Sequence, residues 1–333
     1  QLKGIGAAAW GARQLGHTAR EVDVAIIKGL FVTVTNVSFD PPRLLAEVET
    51  LRAAQAQALG LYQAASAAAG KGAETLPAIT RFKADTTIPG LVSQAAALGI
   101  EARVGAVGPD VTGLQELLLY GLKGAAAYVD HALILGQEDE AVYAAFEEAL
   151  SFLAGNPQDV QALTGWCLRC GEVNLRVMEL LDTANTGAYG HPEPTAVRVT
   201  PIKGKAICVS GHDLKDLEAL LKQTVGKGIN VYTHGEMLPC HAYPGLKKYP
   251  HLVGNYGGAW QDQAAEFEAF PGAVLMTTNC IQKPRESYKG RIFTCGLVSW
   301  PGVTHLADRD FSPVIKAALA APGFSEDAPA KTI

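Results

Sequence analysis

The chain has 333 residues, 48% of them hydrophobic and 18% charged, a globular composition long enough for two or three domains with cores of their own. A formal net charge of -5 and a pI near 5.9 exclude a basic surface for nucleic acid, since Lys247-Lys248 is too short a run, and no apolar stretch is long enough to span a membrane. Gln1-Leu2-Lys3 has neither a signal-peptide layout nor an initiator Met, and Ala330-Lys331-Thr332-Ile333 has no stop-like tail, so both ends read as cuts through a longer chain.

Up to about residue 200 the spacing is helical. Asp40 reads as an N-cap with Pro41 at the first helical position, and Leu44, Val48, Leu51 and Tyr62 then fall on or near one face. A second set runs through Leu114, Leu118, Leu122 and Val129. A third, Val142, Phe146, Leu150 and Leu153, stops at Gly155. Asn156-Pro157 is expected to cap a fourth, carrying Val160, Leu163, Cys167, Cys170, Val177 and Leu181. These sets predict two antiparallel helix bundles, residues 1–103 and 104–200, separated by the polar stretch 69–75 and a loop near 104–112. There is no internal repeat.

After residue 200 the pattern becomes β/α. Ala206–Ser210 is a short apolar run ending at Gly211, and Asp213 caps the helix after it, with Asp216 as a capping-box partner. Ile229–Thr233 ends at His234-Gly235-Glu236, and Ala273–Thr277 ends at Asn279-Cys280. Arg291–Trp300 contains a further strand. The fold class is therefore α + α/β: helical bundles followed by a Rossmann-like parallel α/β domain over 201–333.

Three strands thus end in three metal-ligating side chains, His212, Glu236 and Cys280. In an open parallel sheet the loops at the carboxyl ends of the strands share one edge, so residues far apart in sequence can meet there. Singly, each has a plain reading: His212 as a turn residue, Glu236 as a solvated carboxylate, Cys280 as a small buried hydrophobe. Together they offer one soft, one intermediate and one hard donor. A closed structural zinc site favours several Cys and His; one donor of each kind better suits a cluster whose iron atoms meet different ligands.

Longer motifs carry a resemblance. Gly211-His212-Asp213-Leu214, His234-Gly235-Glu236-Met237-Leu238, Tyr249-Pro250-His251-Leu252-Val253-Gly254-Asn255-Tyr256-Gly257-Gly258 and Thr278-Asn279-Cys280 resemble, in order and spacing, the hybrid-cluster (prismane) family. Phe31–Asn36, Leu117–Tyr128 and Tyr189-Gly190-His191-Pro192 resemble its helical region, so the likeness covers essentially the whole chain. It implies a hybrid iron–sulfur–oxygen cluster with His212, Glu236 and Cys280 as both ligands and catalytic residues. The family's remaining ligands, three Cys, a further Glu and a Lys, are expected in a following domain outside this chain. A Cys quartet for a second cluster, [4Fe-4S] or [2Fe-2S], is expected before it. The implied activity is that of a hydroxylamine reductase, forming ammonia and water, with nitric oxide as a second candidate substrate; the stretch alone is expected to be inactive. An electron-donor reductase, a cytoplasmic location and a part in nitrogen stress follow from the same likeness. Nickel carbon monoxide dehydrogenase shares the fold; Glu236, where that relative is expected to carry a thiolate, favours the hybrid-cluster side. A metal-binding or scaffold module without redox chemistry is the remaining alternative.

Other signals are set aside. Cys167 and Cys170 repeat with the core positions of their helix, so the CxxC reads as packing. Cys208 sits inside a strand, and Cys240 and Cys295 are unassigned. The scattered cysteines suit a reducing cytoplasm. His234, His241, His251 and His305 form no HExxH, and Gly226-Lys227-Gly228 precedes a strand, so neither a zinc protease nor a dinucleotide site is supported. His234 is left as a partner of the site or a turn residue. Going by the family, Thr35 approaches the cluster.

Overall fold

The computed structural model describes residues 1–70 and 76–333; residues 71–75 of the expected separator at 69–75 lie outside the described residues. Contacts divide the chain into two compact units, Gln1–Val34 with Pro41–Asp182, and Thr35–Asp40 with Thr183–Ile333.

The first unit is helical. Its helices are α1 (Leu2–Arg13), α2 (Arg20–Val32), α3 (Pro41–Ala68), α4 (Ile88–Leu98), α5 (Ile100–Val107), α6 (Pro109–Ile134), α7 (Glu140–Ala154) and the greater part of α8 (Val160–Tyr189). Local chemistry sets the ends. The Asp139 side chain accepts the Ala141 N–H at 2.8 Å to start α7, and Gly155 caps its far end as the sequence predicts. The loop expected near 104–112 is instead mostly helix. The break is a single residue, Gly108, at φ +84°, and Pro109 opens α6 with the fixed φ of a first helical position. Likewise α8 starts later than Asn156-Pro157 suggests. Asn156 takes the left-handed turn after α7, and Asp159 is the cap, accepting the N–H groups of Gln161 (2.8 Å) and Ala162 (3.3 Å).

The predicted boundary at 103/104 falls inside α5, and helices on its two sides share one core. α1 packs against α3 and α7, and α2 against α6. Ile5, Ile26, Leu30, Leu118, Leu122, Phe146 and Leu150 are buried in the same cluster. At Gly6 a Cβ would lie 2.4 Å from the Leu150 side chain, so α1 and α7 approach only because that position carries none. Cys170 is buried in this core and Cys167 lies half-buried at its margin, 3.6 Å from the Leu114 carbonyl, in keeping with a packing role for the pair.

The second unit is an α/β layer. It comprises β1 (Lys205–Ser210), α9 (Leu214–Thr224), β2 (Ile229–His234), α10 (Pro244–Lys247), β3 (Leu252–Asn255), α11 (Gln263–Ala269), β4 (Ala273–Met276), α12 (Glu286–Lys289), β5 (Ile292–Cys295), β6 (Thr304–Leu306) and α13 (Ser312–Ala320). All six strands are parallel, in the order β3-β2-β1-β4-β5-β6. Burial on both faces explains the near-continuous apolar runs of β1, β4 and β5. The strand expected within 291–300 is only Ile292–Cys295, because Gly296 at φ +60° turns the chain away. The strands β3, with Gly254 and Asn255 in it, and β6, with Thr304 and His305, lack the apolar run that marks β1 and β4. Asp213 caps α9 as predicted, accepting from the Lys215 (2.7 Å) and Asp216 (2.9 Å) N–H groups. Asp216 does not close a capping box; it is buried and bonds Arg309 and Cys295. Residues 35–40 add a bridge, Ser38 with Ser299. Among the described residues no helix is long and apolar enough to cross a membrane.

Candidate metal centre

The strand order reverses between β1 and β4. A parallel sheet leaves a crevice at such a point, just beyond the carboxyl ends of the strands. His212 follows β1, Glu236 follows β2 and Cys280 follows β4, so the topology brings all three to that crevice. His212 Nε2 lies 2.6 Å from Glu236 Oε2, and the Cys280 thiol donates to the same oxygen at 3.7 Å. One donor atom from each residue lies within 4.8 Å of the others.

Each side chain is aimed by its surroundings. Gly211 stands at φ +112°, and a Cβ there would lie 2.4 Å from Thr277 Oγ1 and 2.8 Å from Thr278 Oγ1. Only glycine lets the loop after β1 lean on the tip of β4. That contact places Thr278 on His212: its hydroxyl oxygen accepts the His212 backbone N–H at 2.9 Å and lies 3.0 Å from Nδ1. A metal bound at Nε2 would require the ring proton on Nδ1, directed at Thr278; in this structure Nε2 is instead in hydrogen-bond contact with Glu236 Oε2. Cys280 adopts a left-handed backbone, φ +68°, which costs a residue bearing a Cβ roughly 1–2 kcal/mol. Burial, then the neighbouring Glu236 carboxylate, pushes its thiol up to about 11. Without a metal it is a thiol; a bound cation would replace that proton. The Glu236 side chain is 74% exposed, so it can swing toward or away from the other two donors.

The three donors open into a cavity of about 650 Å³, lined also by Thr35, Asn36, Ser210, His234 and Trp260. Thr35, read from the family resemblance as approaching the cluster, is one of the cavity's lining residues. His234 is a wall of the cavity whose ring nitrogens are both engaged, 3.2 Å from Ser210 Oγ and 2.8 Å from Glu266 Oε2. Burial lowers its pKa, against the opposing pull of Glu266. The other histidines are tied down elsewhere: His241 to Thr233, His251 to Thr224, His305 to Thr294. Cys208 and Cys240 are buried, and burial raises both thiols far above their ordinary range. Cys295, equally buried, donates to Asp216 at 3.2 Å. Thr278, Trp260 and Gln263 escaped the sequence reading; for Thr278 the available signal was its place two residues before Cys280.

The donor set fits iron. Imidazole, carboxylate and thiolate can each serve it, the three converge without rearrangement of the backbone, and the cavity leaves room for further atoms beyond one ion. A family model described as the Prismane/CO dehydrogenase family matches residues 1–332. Among curated proteins, the chain is 55% identical over 329 residues to the hydroxylamine reductase of Rhodospirillum rubrum, covering 99% of this chain and 60% of that protein. It is 53% identical over 342 residues to the hydroxylamine reductase of Syntrophobacter fumaroxidans and 49% identical over 332 residues to that of Methanocella arvoryzae. Each of these matches covers 100% of this chain and 60% of the relative. The chain thus spans 60% of the length of these relatives.

Proposed function

Because the chain belongs to the Prismane/CO dehydrogenase family, we propose that it contributes part of a hybrid iron–sulfur–oxygen centre to an oxidoreductase that reduces hydroxylamine to ammonia and water. The observation that carries this reading is the meeting of His212, Glu236 and Cys280 at the sheet's switch point. Relatives named hydroxylamine reductase, similar over nearly the whole chain, support the substrate. The reaction takes up two electrons and two protons per hydroxylamine and breaks the N–O bond. An electron-donor reductase supplies the electrons, and nitric oxide is the second candidate substrate.

When bound, the cluster supplies the electrons and a Lewis-acidic site for the substrate's nitrogen or oxygen. The rest falls to the protein. Thr278 would hold the His212 ring with Nε2 presented to the cluster. Cys280 would bind it as thiolate. Glu236, a hard and exposed donor, would be the ligand most easily exchanged. Asn36, Ser210 and Asn279 give the cavity polar groups for a small polar molecule. The remaining cluster ligands, and the second iron–sulfur cluster, belong in this proposal to the full-length protein. A cytoplasmic location and a task in nitrogen stress belong to the same proposal and rest on family membership.

In the full-length protein, His212→Ala and Cys280→Ala should each abolish the paramagnetic signal of the hybrid cluster and the reduction of hydroxylamine, with the helical circular dichroism retained. Unchanged paramagnetic spectra in both variants would refute the ligand assignment. Nickel with carbon monoxide oxidation would move the protein to the other branch of its family. Zinc alone, or no metal, would identify a module without redox chemistry.

A further inference from the structure

A closed ring of hydrogen bonds passes through the carbonyl of Cys280. Its carbonyl accepts two side-chain N–H groups, Trp260 Nε1 at 3.0 Å and Gln263 Nε2 at 2.8 Å. Gln263 Oε1 in turn accepts the Gln282 backbone N–H at 3.0 Å, and the Gln282 side-chain amide returns to the Trp260 carbonyl. Trp260 and Gln263 stand three residues apart across the single 3₁₀ turn Trp260–Asp262, a spacing that brings their side chains to one side of the turn. The Gln263 amide can be oriented only one way, because flipping it would set donor against donor and acceptor against acceptor. The residue is 1% exposed, so water cannot substitute for either bond.

We infer that Gln263, assisted by Trp260, is a positioning residue that aims the Cys280 thiol at the metal. The inference rests on Cys280 being a ligand, as proposed above. Cys280 occupies a left-handed conformation that its Cβ disfavours. The ring fixes the peptide groups on both sides of Ile281, and with them the ψ side of the Cys280 backbone. With the backbone held, rotation about the Cα–Cβ bond moves the sulfur along one arc, and that arc includes its contact with Glu236. All of these bonds go to backbone atoms, so they set the direction of the thiol and leave the sulfur's electronic character alone.

Cobalt(II) titration of the metal-free chain tests this, because thiolate ligation gives a charge-transfer band distinct from the ligand-field bands of nitrogen and oxygen donors. The wild type should show the thiolate band and Cys280→Ser should lack it. If Cys280→Ser keeps the band, the ligand reading itself fails. Gln263→Leu should still bind cobalt through His212 and Glu236, with the thiolate band lost and affinity lowered about 10–100-fold. Trp260→Phe, which removes only the indole N–H, should weaken the band in the same direction and decides the matter if Gln263→Leu does not fold. General destabilisation would instead weaken all the bands together. A wild-type thiolate band and affinity in Trp260→Phe and in folded Gln263→Leu, with the band still absent from Cys280→Ser, would overturn the positioning role and leave the ligand reading intact.

Discussion

At the scale of single residues, the site depends on side chains that bind nothing themselves. Thr278 is the clearest: one hydroxyl oxygen serves both the backbone and the ring of His212. Thr278→Val keeps the shape and removes both bonds. Iron retained by the full-length protein, measured at equilibrium against a chelator, should fall about 10–100-fold in affinity, the usual cost of losing a group that orients a metal-bound imidazole. Full retention would mean that His212 is aimed by packing alone. Sequence reasoning reached His212 through its place at a strand end. It could not give Thr278 a role, because both consecutive threonines lean on the loop at Gly211 and only the fold shows that Thr278 is the one bonded to His212. Gln263 was less legible still, since it is one polar residue in a short helix and acquires meaning only beside Cys280.

At the scale of elements, local chemistry decides where segments begin, and small misreadings of it shift boundaries. Asn156-Pro157 looks like a helix start, yet the working cap is Asp159. Asp159→Ala should lower stability by about 1 kcal/mol, seen as a lower urea midpoint followed by helical circular dichroism; no change would mean that α8 is held by its packing and not by its cap. Gly108 separates α5 from α6 with one residue where a longer loop was expected, since a Gly-Pro pair can end one helix and open the next without a spacer. The longer helices were read correctly from their apolar spacing. The short β3 and β6 were not, because Leu252–Asn255 and Thr304–Leu306 lack the unbroken apolar run that marks the comparably short β4.

At the scale of the molecule, each unit carries a polar feature inside its core. In the helical unit Arg13 meets Asp23 (3.2 Å), Glu140 (2.9 Å) and Glu147 (2.6 Å), so one cation faces three carboxylates. Burial first, then the hydrogen bond and charge of Glu147, push Asp23 up to about 8 against the pull of Arg13. Between its ordinary 3.8 and about 8 the folded state keeps a proton that the unfolded state releases. Stability from this group is therefore complete below that ordinary value and is lost as pH rises through the window. Asp23→Asn should flatten the decline. Amide-exchange protection in α1 and α2, compared between about pH 5 and about pH 8, should fall less in the variant than in the wild type. Equal slopes would show that Asp23 is already ionised in the folded protein. By itself the sequence determined the succession of a helical part and an alternating β/α part, and it picked out His212, Glu236 and Cys280, because apolar period is local and parallel strands must present their carboxyl ends along one edge. Only the tertiary structure decided that helices on both sides of 103/104 share a core, that β4 lies beside β1, and that Thr278 bonds His212 while Trp260 and Gln263 bond the Cys280 carbonyl. Those are contacts between distant segments, and shape complementarity and sheet order set them where no local pattern can.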